Sequence, residues 1–242
     1  SSTEEPTAAD GTVIDVLVAY TPGVQSRYCI SGADALIIQA VAEANQAYAN
    51  SGITARLNLV DTVLTNYNES GNMITDMERL QRTSDGYMDE LHALRDSTGA
   101  DLVTVIEDSG NYCGYAYIMD SVSTSFARYA FSVVKHSCAT GYYSFAHELG
   151  HNQGAHHDPA NASGAVYPYA YGYQDPGQAF RTVMAINCSA GCSRVDNFSN
   201  PDIYLDGLPT GDPDVSDNAR AINNTSATVA AFRQQVDTPP PS

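Results

Sequence analysis

The stretch His147-Glu148-Leu149-Gly150-His151-Asn152-Gln153-Gly154-Ala155-His156-His157-Asp158 constrains this chain more than any other feature. His147 and His151 are four residues apart, and on a helix that spacing stacks both imidazoles on one face, within reach of one ion. Glu148 lies one position along, about 100° around the helix, beside such an ion without pointing at it. Gly154 stands three residues past His151, where a helix can end on a residue of positive φ, which glycine tolerates best. The chain can then turn sharply and return a third imidazole to the ion. The spacing favours His157 for this role, with His156 as the competing ligand. Three neutral imidazoles leave a fourth position open for water, which separates a catalytic zinc site from a closed structural one. With six histidines and eight glutamates in 242 residues, such a set arises by chance roughly 10⁻⁴ times per chain. His92 and His136 have no such context and are expected to be structural.

The apolar pattern supplies the frame around this stretch. Strands are expected at 12–21, 55–64 and 101–107, and helices at 33–50, 73–82 and 87–95. Such alternation calls for crossover connections and a mostly parallel sheet, in an α+β fold. Two short aromatic runs, 112–119 and 130–134, read as an added antiparallel edge. A helix at 142–153 carries the histidines, 154–213 is rich in turn formers and irregular, and 217–235 closes the fold as a helix. The expectation is one domain with an upper lobe at about 11–153, a lower lobe at about 154–236, and loose termini at 1–10 and 237–242.

Charge removes several function classes. Acidic residues outnumber basic ones by 28 to 11, and Lys135 is the single lysine, so neither nucleic acid nor an anionic membrane surface is an expected partner. No apolar run approaches the roughly 18 residues of a membrane span. The absence of Gly-x-Ser-x-Gly argues against a serine hydrolase. The first ten residues are unlike a signal peptide, so the chain is either cytosolic or begins after processing. The cysteines favour the second, secreted reading. Cys188 and Cys192 sit in a tight loop suited to a local disulfide, Cys113 and Cys138 could close another, and Cys29 is left over. Five reduced thiols are the alternative. Asp202, Asp206, Asp212, Asp214 and Asp217 crowd one loop region; without EF-hand spacing they read as solvated turn residues, with Ca²⁺ as the alternative.

From His147 to His157 the sequence resembles the metzincin zinc endopeptidases, whose signature is His-Glu-x-x-His-x-x-Gly-x-x-His. Thr182-Val183-Met184-Ala185-Ile186, with Met184 27 residues beyond His157, looks like the methionine turn of that family. Asp158 after the third histidine resembles the reprolysin (adamalysin) branch, and Ile186 stands where astacins and serralysins carry a tyrosine ligand. Cys138 through His147, and Asn187 through Cys192, are similar to secreted bacterial peptidases of the peptidyl-Asp metalloendopeptidase group; Cys29 has no place in that pattern. The resemblance implies a metzincin-like fold, Zn²⁺ held by His147, His151 and His157, and Glu148 as general base for hydrolysis of peptide bonds by a monomer. It implies that Gly114-Tyr115-Ala116-Tyr117 is the edge strand that binds substrate, with Gly154, Asp158 and Met184 structural. A preference for aspartate needs a cation, and Arg181 and Arg194, flanking the methionine turn, are the candidates; solvated or structural arginines are the other reading. A non-catalytic zinc-binding module and a zinc amidase acting on cell-wall peptides are the alternative functions, and the intact Glu148 speaks against the first.

Overall fold

Val13–Tyr20, the strand β1, is aliphatic except for Asp15 and the terminal Tyr20, because both faces of the sheet around it are covered. Alternation along it sends Ile14, Val16, Val18 and Tyr20 into one core cluster and Leu17 and Ala19 into another. A computed structural model describes residues 11–236, so the expected loose termini at 1–10 and 237–242 lie outside the described residues. The elements that follow are α1 (Pro22–Asn50), β2 (Arg56–Leu64), α2 (Met73–Gln81), α3 (Glu90–Thr98), β3 (Leu102–Glu107), β4 (Gly114–Ala116), β5 (Phe131–Lys135), α4 (His136–Ala139), α5 (Ser144–Asn152) and α6 (Asn218–Val229), with two-residue strands between the last two helices.

The main sheet runs β2-β1-β3-β5-β4. β1 is parallel to β2 and β3, and β3 is parallel to β5. Only β4 is antiparallel, and it forms one edge, with β2 at the other. The two runs expected as an antiparallel edge do pair antiparallel, but β5 also pairs in parallel with β3, so β4 alone is the added edge strand. A 3-10 helix at Thr124–Tyr129, capped by the Ser123 hydroxyl, lies in the connection between these two antiparallel neighbours, and β5 takes the inner place between β4 and β3. The helix expected at 33–50 begins eleven residues earlier. Pro22 ends the strand as expected, but it also starts α1, with the Thr21 hydroxyl accepting from the Val24 amide. A break at Cys29, with φ 58°, separates that first segment from the periodic part.

Side chains on both sides of Gly154 share one core. Ile37, Tyr48, Phe145, Leu149, Met184, Phe198, Ile222 and Phe232 belong to a single buried cluster. Cys113–Cys138 and Cys188–Cys192 form disulfides, and Cys29 is free and exposed. No helix among the described residues is long and apolar enough to cross a membrane.

Glu107, at the C-terminal end of β3, is fully buried, and neither carboxyl oxygen has a hydrogen-bond partner among the described residues. Burial above all, then the neighbouring Asp76 and Glu69, pushes it up to about 9. Its register partner Lys135 donates instead to the Gly110 carbonyl. The unfolded chain releases this proton in the ordinary carboxyl range while the folded chain holds it until about pH 9. Stability therefore falls as pH rises through that window. Glu107→Gln should stabilise the fold at pH 8 by about 2 kcal/mol and leave it unchanged near pH 4. Thermal melts of the two proteins at both pH values check this, and equal melting temperatures at pH 8 would contradict it.

Candidate metal centre

All nine residues of α5, Ser-Phe-Ala-His-Glu-Leu-Gly-His-Asn, are buried. A helix enclosed on every side must find internal partners for its polar groups. Asn152 donates to the Tyr117 and Phe131 carbonyls, and the His151 carbonyl accepts from the Met119 amide. These bonds stitch α5 to the chain just beyond β4 and to β5. The Cys113–Cys138 disulfide ties the start of β4 to α4, which leads into α5.

After α5 the chain turns at Gly154, whose φ is +90° and whose Cα faces Val166 so closely that a Cβ would stand 2.8 Å from it. The turn brings His157 back to the helix. His157 Nε2 lies 3.1 Å from His147 Nε2 and 3.0 Å from His151 Nε2. The other ring nitrogens are committed to backbone: His147 Nδ1 donates to the Val183 carbonyl at 2.8 Å, and His151 Nδ1 to the Ala155 carbonyl at 2.9 Å. These bonds fix the tautomer, so both Nε2 lone pairs face the same point. Burial holds His147 and His151 well below the ordinary histidine range, and His157 at about 4, which keeps all three neutral. Three lone pairs aimed at one another repel unless a cation lies between them. Ligands of a tetrahedral zinc at ~2.0–2.1 Å stand about 3.4 Å apart, close to the separations seen, so the donor set fits zinc. Among the described residues this is the one group of three or more His, Cys, Asp or Glu side chains with ligand atoms within 4.8 Å of one another. His156 turns away: its Nδ1 accepts from the His157 amide, and its ring stacks on Tyr171.

The remaining expected residues surround this centre. Met184 is fully buried, and a Cβ on Gly150 of α5 would stand 2.6 Å from its sulfur. The turn carrying Met184 also supplies the Val183 carbonyl that orients His147. Asp158 is buried and accepts from the Asn161 and Gln174 amides, while Gln174 also donates to the Ile186 carbonyl. The post-histidine loop and the methionine segment are thereby joined. His92 and His136 lie elsewhere, His92 bonded to the Leu80 carbonyl and His136 to Tyr28 and Asp108. Asp212 and Asp217 spend Oδ1 on backbone amides of a turn and of the first turn of α6.

A cleft of about 520 Å³ opens over the histidines. Gly114, Tyr115 and Ala116 of the edge strand line one side, and Tyr142, Ile186 and Arg194 also line it. Glu148 lines it too, only 5% exposed, its carboxyl pushed up to about 8 by burial against the pull of Arg194. Gly114 passes so close to Glu148 that a Cβ there would stand 2.6 Å from its Cγ and 2.7 Å from its carboxyl carbon. Arg181, by contrast, is 2% exposed and does not line the cleft. Tyr142 escaped the sequence reading, although it lies between the left-handed residues Gly141 and Tyr143 that open α5. The orienting carbonyls of Ala155 and Val183 carry no residue-type signal at all.

The family described as Reprolysin_5, metallo-peptidase family M12, matches residues 10–199. A "Peptidyl-Asp metalloendopeptidase" of Stenotrophomonas maltophilia (strain K279a) is 44% identical over 232 residues, covering 93% of this chain and 54% of that protein. The chain thus spans about half the length of that curated relative. A protein of the same description from Pseudomonas fragi is 37% identical over 193 residues, covering 79% of this chain and 100% of its own. A solved chaperone–substrate complex shares the fold, with a TM-score of 0.74 at 19% identity over 94% of this chain and 36% of that one.

The converging nitrogens make a metal-binding prediction that separates the two adjacent histidines. His157→Ala should weaken zinc by more than the ~10–100-fold typical of an outer partner, and His156→Ala by no more than that. Zinc content after dialysis against graded chelator checks it; a greater loss in His156→Ala would reassign the third ligand.

Proposed function

The chain belongs to metallopeptidase family M12, and from that premise we propose that it is a zinc endopeptidase cleaving internal peptide bonds of proteins, with a preference for bonds beside aspartate. The observation that carries this reading is the meeting of three Nε2 atoms in the same cleft as a buried glutamate. The names of the relatives support the aspartate preference.

When held by His147, His151 and His157, zinc supplies a Lewis acid that lowers the pKa of water toward ~7 and polarises a carbonyl. Glu148 takes a proton from the attacking water and returns it to the leaving amine nitrogen as the carbon–nitrogen bond breaks. Its place in the cleft beside the three imidazoles supports this role, since a general base must stand within reach of the water whose proton it takes. The outer edge of β4 takes the substrate as an added antiparallel or parallel strand, so main-chain bonds align the scissile peptide while pockets read side chains. Gly114 keeps that strand close to Glu148. The two disulfides support action outside the cell. The core shared across Gly154 supports a single catalytic domain. The aspartates at 202–217 are read as turn and cap residues and not as a calcium site, in keeping with the bonds of Asp212 and Asp217.

Two substitutions test the assignment. Glu148→Gln should retain zinc and lose ~10²–10⁴-fold in turnover of casein. Gly114→Ala pushes the Glu148 side chain aside without touching a ligand, and should cost at least ~10-fold in kcat with zinc content unchanged. The assay is chelator-sensitive casein digestion beside elemental analysis. Full activity in Glu148→Gln would remove the general base, and zinc-independent digestion would remove the reading itself.

A further inference from the structure

The short strands β6 (Phe180–Arg181) and β7 (Ser193–Arg194) pair in parallel with Arg181 opposite Arg194. Like charges directly opposite one another are unfavourable, yet neither arginine forms an ion pair with a carboxylate among the described residues. Both guanidinium groups instead pack against Tyr142, Arg194 at 4.6 Å and Arg181 at 5.6 Å from the ring centroid. Arg181 is turned inward: it donates through Nη1 to the Ala185 carbonyl at 2.7 Å and through Nη2 to the Tyr142 hydroxyl at 3.0 Å, and, as in Arg194, its Nε is buried without a partner. Arg194 donates through Nη1 to the Tyr142 carbonyl at 2.9 Å, and its Nε is buried without a partner. Its Nη2 has no hydrogen-bond partner among the described residues. It is also the one arginine or lysine lining the cleft, where Glu148 is the one carboxylate.

An unpaired, partly desolvated guanidinium is costly in any protein, and it is conspicuous in a chain of net charge −17, where carboxylates are abundant. Burial and the neighbouring Arg181 lower it to about 10, so it is still charged at neutral pH. The Cys188–Cys192 disulfide immediately precedes β7 and fixes the loop that delivers it.

Building on the proposed endopeptidase activity, we propose that Arg194 is the specificity-determining residue of the cleft and binds the side-chain carboxylate of the substrate aspartate beside the scissile bond. Arg181 is a positioning residue: it holds Tyr142, and through Tyr142 it holds the Arg194 head in the cleft. The vacant Nη2 supplies the charge-assisted hydrogen bond, and the bond from Nη1 to the Tyr142 carbonyl keeps the fork from swinging away. A neutral side chain in the same place leaves the cation desolvated and unpaired, which is how such a site rejects it.

The test compares three peptides differing at one residue beside the cleaved bond: Asp, Asn and the aspartyl β-methyl ester. The wild-type zinc enzyme should prefer Asp over both neutral forms by at least ~10-fold in kcat/KM. In Arg194→Met that ratio should fall to within ~3-fold of unity, and in Arg181→Met the loss should fall on KM for the Asp peptide and not on KM for the Asn peptide. Zinc content and melting temperature establish that each variant is folded. The ester comparison needs no variant, so it decides the matter even where Arg194→Met does not fold. Equal cleavage of Asp and ester by the wild type, or an unchanged Asp-to-Asn ratio in folded Arg194→Met, would overturn the proposal while leaving the endopeptidase reading intact. Failure of the wild type to cleave any of the peptides would instead count against that reading.

Discussion

Three lone pairs pointed at one position are the constraint from which the rest of this molecule follows. Without a cation they repel, and burial denies each ring the alternative of a proton. The imidazoles hold their orientation because backbone carbonyls take the Nδ1 protons of His147 and His151. Those carbonyls come from Val183 and Ala155, on two segments that follow the helix. The donor set therefore exists only when the helix, the turn at Gly154 and the methionine segment are assembled together. Metal binding and folding of the second half are then one linked equilibrium.

The packing around α5 shows how that assembly is enforced. Gly150 has no room for a methyl group because the Met184 sulfur occupies the space, and Phe198 closes in beside it. Phe198 in turn meets Tyr48 of α1 edge-to-face, and the Tyr48 hydroxyl accepts from Gln153 at the end of α5. The histidine helix is thus held between the long first helix and the loop-rich second half, and neither can shift without moving an imidazole.

The parts most legible in the sequence were those where one rule acts alone. β1 and β3 are buried on both faces and read as largely apolar runs, broken only by Asp15, Thr104 and the terminal Glu107. The histidine spacing and Gly154 follow from helix and turn geometry. Other parts depend on partners distant in the chain. The segment 22–32 of α1 buries only Val24, so it carries no apolar period to betray a helix. The inner place of β5 follows from its parallel pairing with β3, a partner distant in the chain, and the 3-10 helix at Thr124–Tyr129 that precedes it has residues exposed or half-buried and patterned by no single rule. Arg181 and Arg194 look alike in sequence, both arginines beside the methionine segment. Their separation into a buried strut and a cleft-lining cation comes from a two-residue strand pairing that no periodicity can register.

A single cation lining the cleft of an acidic molecule makes attraction and repulsion act over different distances. At long range the whole surface, at net charge −17, opposes the approach of an acidic polypeptide. Mobile ions damp that repulsion within about 10 Å at ordinary ionic strength, whereas a partly buried contact such as that of Arg194 feels them far less. Added salt should then hasten the encounter with acidic chains while sparing the grip that follows, the reverse of what an enzyme that steers its substrate by opposite charge experiences.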